Sequence, residues 1–252
     1  MLRYFQIGEN LSIPSYNLFV GIGIAVAMVY LQYEKQFSLL DADKKNAIHL
    51  GLLLSIMMGF VGAFTFEAYT QGTPLNWHNL NQIGLTFLGG VTVGILTLTI
   101  FLKLKSIAVL RTLNLLTPAF CLSHILGRVG CFFAGCCFGS PTNLSFGVQF
   151  PEHSLAHDHF MKNVHVHPTQ LYESFFIFIV FLTVRKPEIK SKFLIYLFSY
   201  SVFRFFIEFI RADNRGTIFN QSILTPSQFI SLAAAIVIIA FTARQKLKSY
   251  NL

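Results

Sequence analysis

The chain has 252 residues, 54% of them hydrophobic and only 12% charged, with a mean hydropathy of +0.58. Soluble domains carry charge on about a quarter of their residues, so a soluble globular fold is excluded, and repeated apolar runs point to membrane helices of about 20 residues each. The formal charge of +8 forms no basic patch away from the edges of those runs, which argues against a nucleic-acid partner.

The first predicted element is an apolar span over Tyr16–Tyr33, and the second covers Ala47–Phe66. No cleavable signal peptide is expected, because Arg3 is followed by mixed residues and the run beginning near Pro14 is long enough to be retained as a span. The third span, Gln82–Leu102, contains FLGG at Phe87–Gly90; Gly90 and Gly94 make a G-x-x-x-G step, the pattern of a close helix contact. The fourth, Ile107–Gly127, runs into GRVGCFFAGCCFG, where Arg128 stands beside three of the four cysteines. An arginine at a helix end commonly serves as a snorkelling anchor. Cys131, Cys136 and Cys137 read first as small apolar fillers of a tight turn. The alternatives are a bridge from Cys131 to either neighbour, a zinc site with His124, or a redox-active or acyl-accepting thiol.

A long loop from Arg128 to His167 follows, with His153, His157, His159, His165 and His167, the first four expected to be exposed rather than metal-binding. HPTQLYES opens span five, Pro168–Val184. Proline suits a first helical turn, Gln170 and Glu173 follow it, and the helix N-terminus is a ready anion site. Span six, Phe193–Ile210, carries Arg204 and Glu208, with Arg211 just past its end; spacings of four and three residues put all three on one face. An arginine at that depth costs about 2.5 kcal/mol or more unless it is paired or faces a wet cavity. Glu208 is the expected partner, in either a structural ion pair or an anion site. The seventh span is Pro226–Thr242.

Thirteen lysines and arginines fall after spans one, three and five and in the C-terminal tail, counting Arg111 at the head of span four; five fall on the other side. The positive-inside rule then predicts an outside N-terminus and a cytoplasmic C-terminus. The expected fold class is all-α: one polytopic integral membrane domain over 1–252, with seven transmembrane helices and an extracytoplasmic loop at 128–167. Arg128, Arg204 and the head of span five reach the same outer depth. The arginine fork suits phosphate, and phosphate there belongs to a phospholipid headgroup.

These residues resemble a bacterial family, the prolipoprotein diacylglyceryl transferases. HPTQLYE, His167 to Glu173, looks like the family's signature at the head of a late helix. Tyr200, Arg204, Glu208 and Arg211 are similar to its Y-x-x-x-R-x-x-x-E-x-x-R run. GRVGCFFAGCCFG matches the frame of its G-R-x-G-N-F-x-N-x-E-x-x-G motif at Gly127, Arg128, Gly130, Phe132 and Gly139. Tyr16 matches a tyrosine that the family uses at the head of span one.

The resemblance implies transfer of the diacylglyceryl group of phosphatidylglycerol to the lipobox cysteine of a preprolipoprotein, releasing glycerol phosphate in a bacterial inner membrane. It implies no metal and no organic cofactor. Arg128, Arg204, His167 and Tyr200 take catalytic roles by this likeness; Tyr16, Gly89, Gly90, Gly139, Gln170, Tyr172, Glu173, Glu208 and Arg211 bind substrate. The chemistry agrees: the acceptor must become a thiolate, and fixed cations stabilise the departing phosphate. The chain departs from the family at Leu88, where F-H-G-G has histidine, and at Cys131, Ala134 and Cys136, where the central motif has asparagine, asparagine and glutamate. A sister enzyme with another acceptor, a thiol oxidoreductase using Cys131 with Cys136 or Cys137, and a lipid-binding protein without chemistry are the alternative readings.

Overall fold

A computed structural model describes residues 4–7, 11–72, 87–152, 154–160, 164–212 and 224–250. A hairpin of β1 (Tyr4–Ile7) and β2 (Leu11–Pro14) leads into α1 (Ser15–Tyr33). Then come α2 (Lys35–Ser38), α3 (Ala42–Gln71), α4 (Phe87–Leu104) and α5 (Val109–Ala134). The small elements β3 (Val148–Gln149), α6 (Leu155–Phe160) and β4 (His165–Val166) precede α7 (Thr169–Val184), α8 (Lys192–Ile207) and α9 (Pro226–Tyr250). Among the described residues, five helices are long and apolar enough to cross a membrane: α1, α3, α5, α8 with its continuation to Ile210, and α9. Gly89–Leu104 and Thr169–Val184 are shorter apolar helices. Residues 82–86 of the predicted third span lie outside the described residues.

Three helix ends differ from expectation. Helix α5 runs on through Ala134, so Arg128 lies within it rather than at its end. The GRVG stretch allows this because Gly130 lets α1 approach: a Cβ there would sit 2.8 Å from Phe19 Cβ. Helix α8 tightens to a 3-10 turn at Glu208–Ile210, and Arg211 is already extended (φ −83°), off the face predicted for it. Pro168 precedes α7 as its cap rather than occupying the first turn.

The chain falls into two compact units. One comprises Met1–Tyr33, Leu116–Asn214 and Gln228–Leu252. In it α1 packs on α5 through Gly23, whose Cβ would meet Ser123 O at 3.0 Å, and through stacked Phe19 and Phe133. Stacked Phe176 and Phe203 join α7 to α8, with centroids 4.2 Å apart. Between α5 and α7 the chain folds over a small core of Phe138, Phe150, Ala156 and Val166.

The other unit, Glu34–Leu115 and Arg215–Ser227, is built on α3 and α4. Asp41 caps α3 by accepting from Lys44 N at 2.9 Å, and Gly72, at φ +65°, ends it. The two helices approach backbone to backbone: a Cβ on Gly90 would lie 3.1 Å from Gly59 O, and one on Gly94 3.2 Å from Ser55 O. Leu53, Met57, Phe60 and Val61 of α3 are more than half exposed, a surface that lipid covers.

The glycine crossing yields a stability test. A Cβ at Gly62 would lie 2.8 Å from Gly89 O, and nothing lies within 4 Å of one at Gly21. Gly62→Val therefore loses about 1–3 kcal/mol through overpacking, read as a lower thermal midpoint in detergent, whereas Gly21→Ala leaves the midpoint in place.

Candidate functional site

Three segments of the first unit bring their charges together. Arg128 comes from α5, Glu173 from the second turn of α7, and Arg204, Glu208 and Arg211 from the end of α8 and beyond. Arg128 Nη2 lies 2.8 Å from Glu173 Oε1 and donates to the Tyr200 hydroxyl at 3.2 Å. Tyr200 in turn donates to the same Glu173 oxygen at 2.6 Å. Arg211 stands 3.8 Å from Glu173 Oε2 and 3.9 Å from Glu208 Oε2. Arg204 pairs with Glu208 at 2.7 Å and acts electrostatically on Glu173. No side chain of the five exceeds 7% exposure, so these charges interact in a poorly screened setting. Three guanidiniums against two carboxylates sum to one positive charge.

Behind Arg128 lies a second layer of His124, weighed from the sequence as a zinc ligand, and Tyr196, absent from the predicted site set. Arg128 Nε donates to His124 Nε2 at 3.4 Å, and His124 Nδ1 shares a hydrogen bond with Tyr196 at 2.8 Å. The signal for both was in the sequence: His124 precedes Arg128, and Tyr196 precedes Tyr200, by one helical turn of four residues.

Gly135 (φ +70°) and Cys137 (φ +62°), both left-handed, fold the chain back at the end of α5. The Sγ atoms of Cys131, Cys136 and Cys137 consequently lie within 4.8 Å of one another, with no disulfide formed. Helix α7 holds this turn: Thr169 Oγ1 donates to Cys137 O at 2.6 Å and Gln170 Nε2 to Cys136 O at 2.5 Å. Gln170 has no solvent exposure, and its Oε1 has no hydrogen-bond partner among the described residues. Hydrogen bonds from Cys131 and Cys136, then the Arg211 and Arg128 guanidiniums, hold the Cys137 thiol well below the usual thiol range. Hydrogen bonding with Cys131 and Cys137, then burial, push the Cys136 thiol up.

The remaining predicted residues divide. His167 Nδ1 meets the Tyr172 hydroxyl at 3.1 Å. Gly139 works as a latch: its N–H donates to His167 O at 2.9 Å, it bridges to Arg211, and a Cβ would collide with His167 Cβ at 2.6 Å. Tyr16, in the first turn of α1, lies within electrostatic reach of Arg128 and the three thiols. Gly89 and Gly90 belong to the α3–α4 contact in the other unit, where packing accounts for them. The predicted anion site at the head of α7 is partly spent internally, as Thr169 N donates to His167 O and Leu171 N to Pro168 O. His153 lies outside the described residues. Among those described, only the three cysteines gather as potential metal ligands; His157 faces Asp158 at 3.7 Å and His159 packs on Phe138.

The family model for the prolipoprotein diacylglyceryl transferases matches residues 3–244. The phosphatidylglycerol–prolipoprotein diacylglyceryl transferase of Clostridium tetani is 32% identical to this chain over 237 residues, covering 90% of this chain and 91% of its own length. The second such transferase of Clostridium perfringens is 31% identical over 231 residues, 88% and 87% of the two chains. That of Clostridium botulinum strain Langeland is 31% identical over 221 residues, 83% and 85%.

The buried pairing has a measurable consequence. Glu173→Ala leaves Arg128 and Arg211 without the carboxylate between them and lowers stability by about 3 kcal/mol or more. Combining it with Arg128→Leu recovers part of the loss in detergent unfolding, which a purely local packing defect at residue 173 does not do.

Proposed function

The chain belongs to the prolipoprotein diacylglyceryl transferase family, and from that premise we propose that the cluster around Glu173 is where it handles its lipid substrate. Its activity is that of a phosphatidylglycerol–prolipoprotein diacylglyceryl transferase, and it is a membrane protein. The finer reading has seven spans in one domain of a bacterial inner membrane, with the N-terminus outside. The acceptor in this reading is the lipobox cysteine of a preprolipoprotein.

The observation that carries the site is the shared carboxylate: Glu173 gathers Arg128 and Arg211, with Arg204 in electrostatic reach. One net positive charge among five buried groups complements the single negative charge of a phosphatidylglycerol phosphodiester. When the bond from the glyceryl carbon to phosphate oxygen breaks, the departing glycerol phosphate gains a second charge. Guanidiniums already fixed by Glu173 and Glu208 stabilise that charge without reorganising, which is the condition for electrostatic preorganisation. Tyr200 acts by position, holding Arg128 and Glu173 together. Gln170 Oε1, buried and without a protein partner among the described residues, offers an acceptor to a substrate hydroxyl or amide. His167, with Tyr172 on Nδ1, is the proton-handling group of this reading, and Tyr16 lines the acceptor side.

The test uses purified chain, phosphatidylglycerol labelled in its headgroup, and a lipobox peptide. Thioether product and glycerol phosphate form in equal amounts, and Arg128→Ala and Arg204→Ala each slow both by about 100-fold or more, the cost of removing a transition-state donor. An Arg204→Ala variant that transfers at the wild-type rate sinks the cluster's role. Release of glycerol phosphate with no thioether favours a different acceptor.

A further inference from the structure

We propose that Cys131, Cys136 and Cys137 form a three-thiolate site for a divalent zinc-class cation whose fourth position receives the acceptor thiol. The cation site stands on geometry alone; the fourth ligand rests on the transferase reading above.

The three sulfurs lie within 4.8 Å of one another, which places a common centre at most about 2.8 Å from each. Zinc–thiolate bonds are about 2.3 Å, so closing the triad on a cation takes no more than about half an ångström per sulfur. The turn is held ready for this. Cys137 occupies a left-handed conformation that costs a non-glycine residue on the order of 1 kcal/mol or more, and Thr169 and Gln170 clamp the carbonyls of Cys137 and Cys136 from a separate helix.

The donor set selects the ion. The stronger nitrogen and oxygen ligands nearby are engaged elsewhere: both ring nitrogens of His124 with Arg128 and Tyr196, Glu173 with Arg128 and Tyr200, and Glu208 with Arg204. Gln170 Oε1, unpartnered among the described residues, is a neutral amide oxygen, a poor match for a thiophilic ion. An all-sulfur site suits a thiophilic ion. Three thiolates with a divalent ion carry one negative charge and with copper(I) two, and the arginine cluster within electrostatic reach carries one positive. Charge therefore favours the divalent ion. Three protein ligands with one place open is the arrangement of a working zinc site rather than a structural one. Cys136 and Cys137 are part-exposed, so a fourth ligand has an approach.

An exogenous thiol taking that place gives up its proton to solvent, since a coordinating thiol is deprotonated outright. Its sulfur then forms the bond to the glyceryl carbon, the carbon–oxygen bond to phosphate breaks, and the electron pair leaves on glycerol phosphate. The product thioether is neutral and binds the cation more weakly than a thiolate, so it departs and the site is restored.

The experiment uses the full chain in detergent, stripped with a chelator and titrated with cobalt(II) alone. One cobalt binds per chain with sulfur-to-metal charge-transfer bands, and Cys131→Ser, Cys136→Ser and Cys137→Ser each weaken binding at least about tenfold, while Cys121→Ser does not. Absence of the bands in the wild-type chain, or their persistence in all three variants, overturns the site. A measurement that needs no variant is native alkylation: zinc suppresses modification of Cys136 and Cys137, and unchanged labelling overturns it equally. For the fourth position, a cysteine lipobox peptide added to the cobalt form intensifies the bands and its serine analogue does not; equal response to both overturns that part. Stripped chain transfers at least about tenfold more slowly until zinc returns, and full transfer without metal overturns the catalytic role while leaving the transferase reading intact. Arg204→Ala separates the two claims from the other side, losing transfer while keeping the cobalt bands.

Discussion

Glu173 is a carboxylate with no solvent contact, on a helix whose other residues are mostly Phe, Ile, Leu and Val. Burying such a group costs several kcal/mol unless opposite charge and hydrogen bonds meet it, and that requirement organises the unit around it. Arg128 must arrive from α5, Tyr200 from α8, and Arg211 from the segment that follows. The end of α8 is shaped accordingly. The 3-10 turn and extended Arg211 let it bridge to Gly139 while its guanidinium faces both carboxylates. Gly139 has no Cβ because His167 and Ile210 leave no room for one.

What the sequence made legible was local. Hydropathy located the apolar helices, and the spacing of Arg204 and Glu208 anticipated an ion pair now seen at 2.7 Å. The span-three G-x-x-x-G step read as a close helix contact, which the α3–α4 crossing is. What stayed hidden was non-local or set by the backbone. Nothing near Arg128 in sequence points to Glu173, 45 positions on, so the sequence places Arg128 at the outer interface to hold phosphate, with no sign of the buried carboxylate it pairs with. Counting hydrophobic residues ended α5 at Gly127, because glycine and arginine look like terminators; the helix runs on through Ala134, with Gly130 set against α1. The thiol triad was hidden for the same kind of reason. Residues 131, 136 and 137 share no regular period, and only two left-handed residues bring them round.

Resemblance to the family added what spacing does not supply, a reaction, and it also marked where the chain differs. The charged side chains it singled out, Arg128, Glu173, Arg204, Glu208 and Arg211, form one connected network with Tyr200. Of the departures, Leu88 lies on α4, and Cys131, Ala134 and Cys136 fall at the end of α5 and on the turn beside that network. The backbone of the turn is nonetheless tied to α7 by two short hydrogen bonds and to the end of α8 through Gly139. In the proposed reading, lipid handling and acceptor handling rest on different side chains held by one framework, so one can change chemically while the other stays.

That separation bears on how two anions share a small volume. A phosphodiester and an attacking thiolate repel each other, and in a poorly screened site this repulsion opposes the approach of sulfur to carbon. Guanidiniums within reach of both reverse the sign. Arg128 and Arg211 act electrostatically on Cys137 as well as on Glu173, so they lie in the field of both the thiol turn and the carboxylate cluster. A fixed positive charge in that position attracts both reactants and gains most as the leaving phosphate takes its second charge. The same charge adds to the penalty of an arginine without its carboxylate, which is why Glu173 has to be present before either substrate arrives. In the proposed reading, fold stability and the charge that serves the reaction therefore depend on one buried carboxylate.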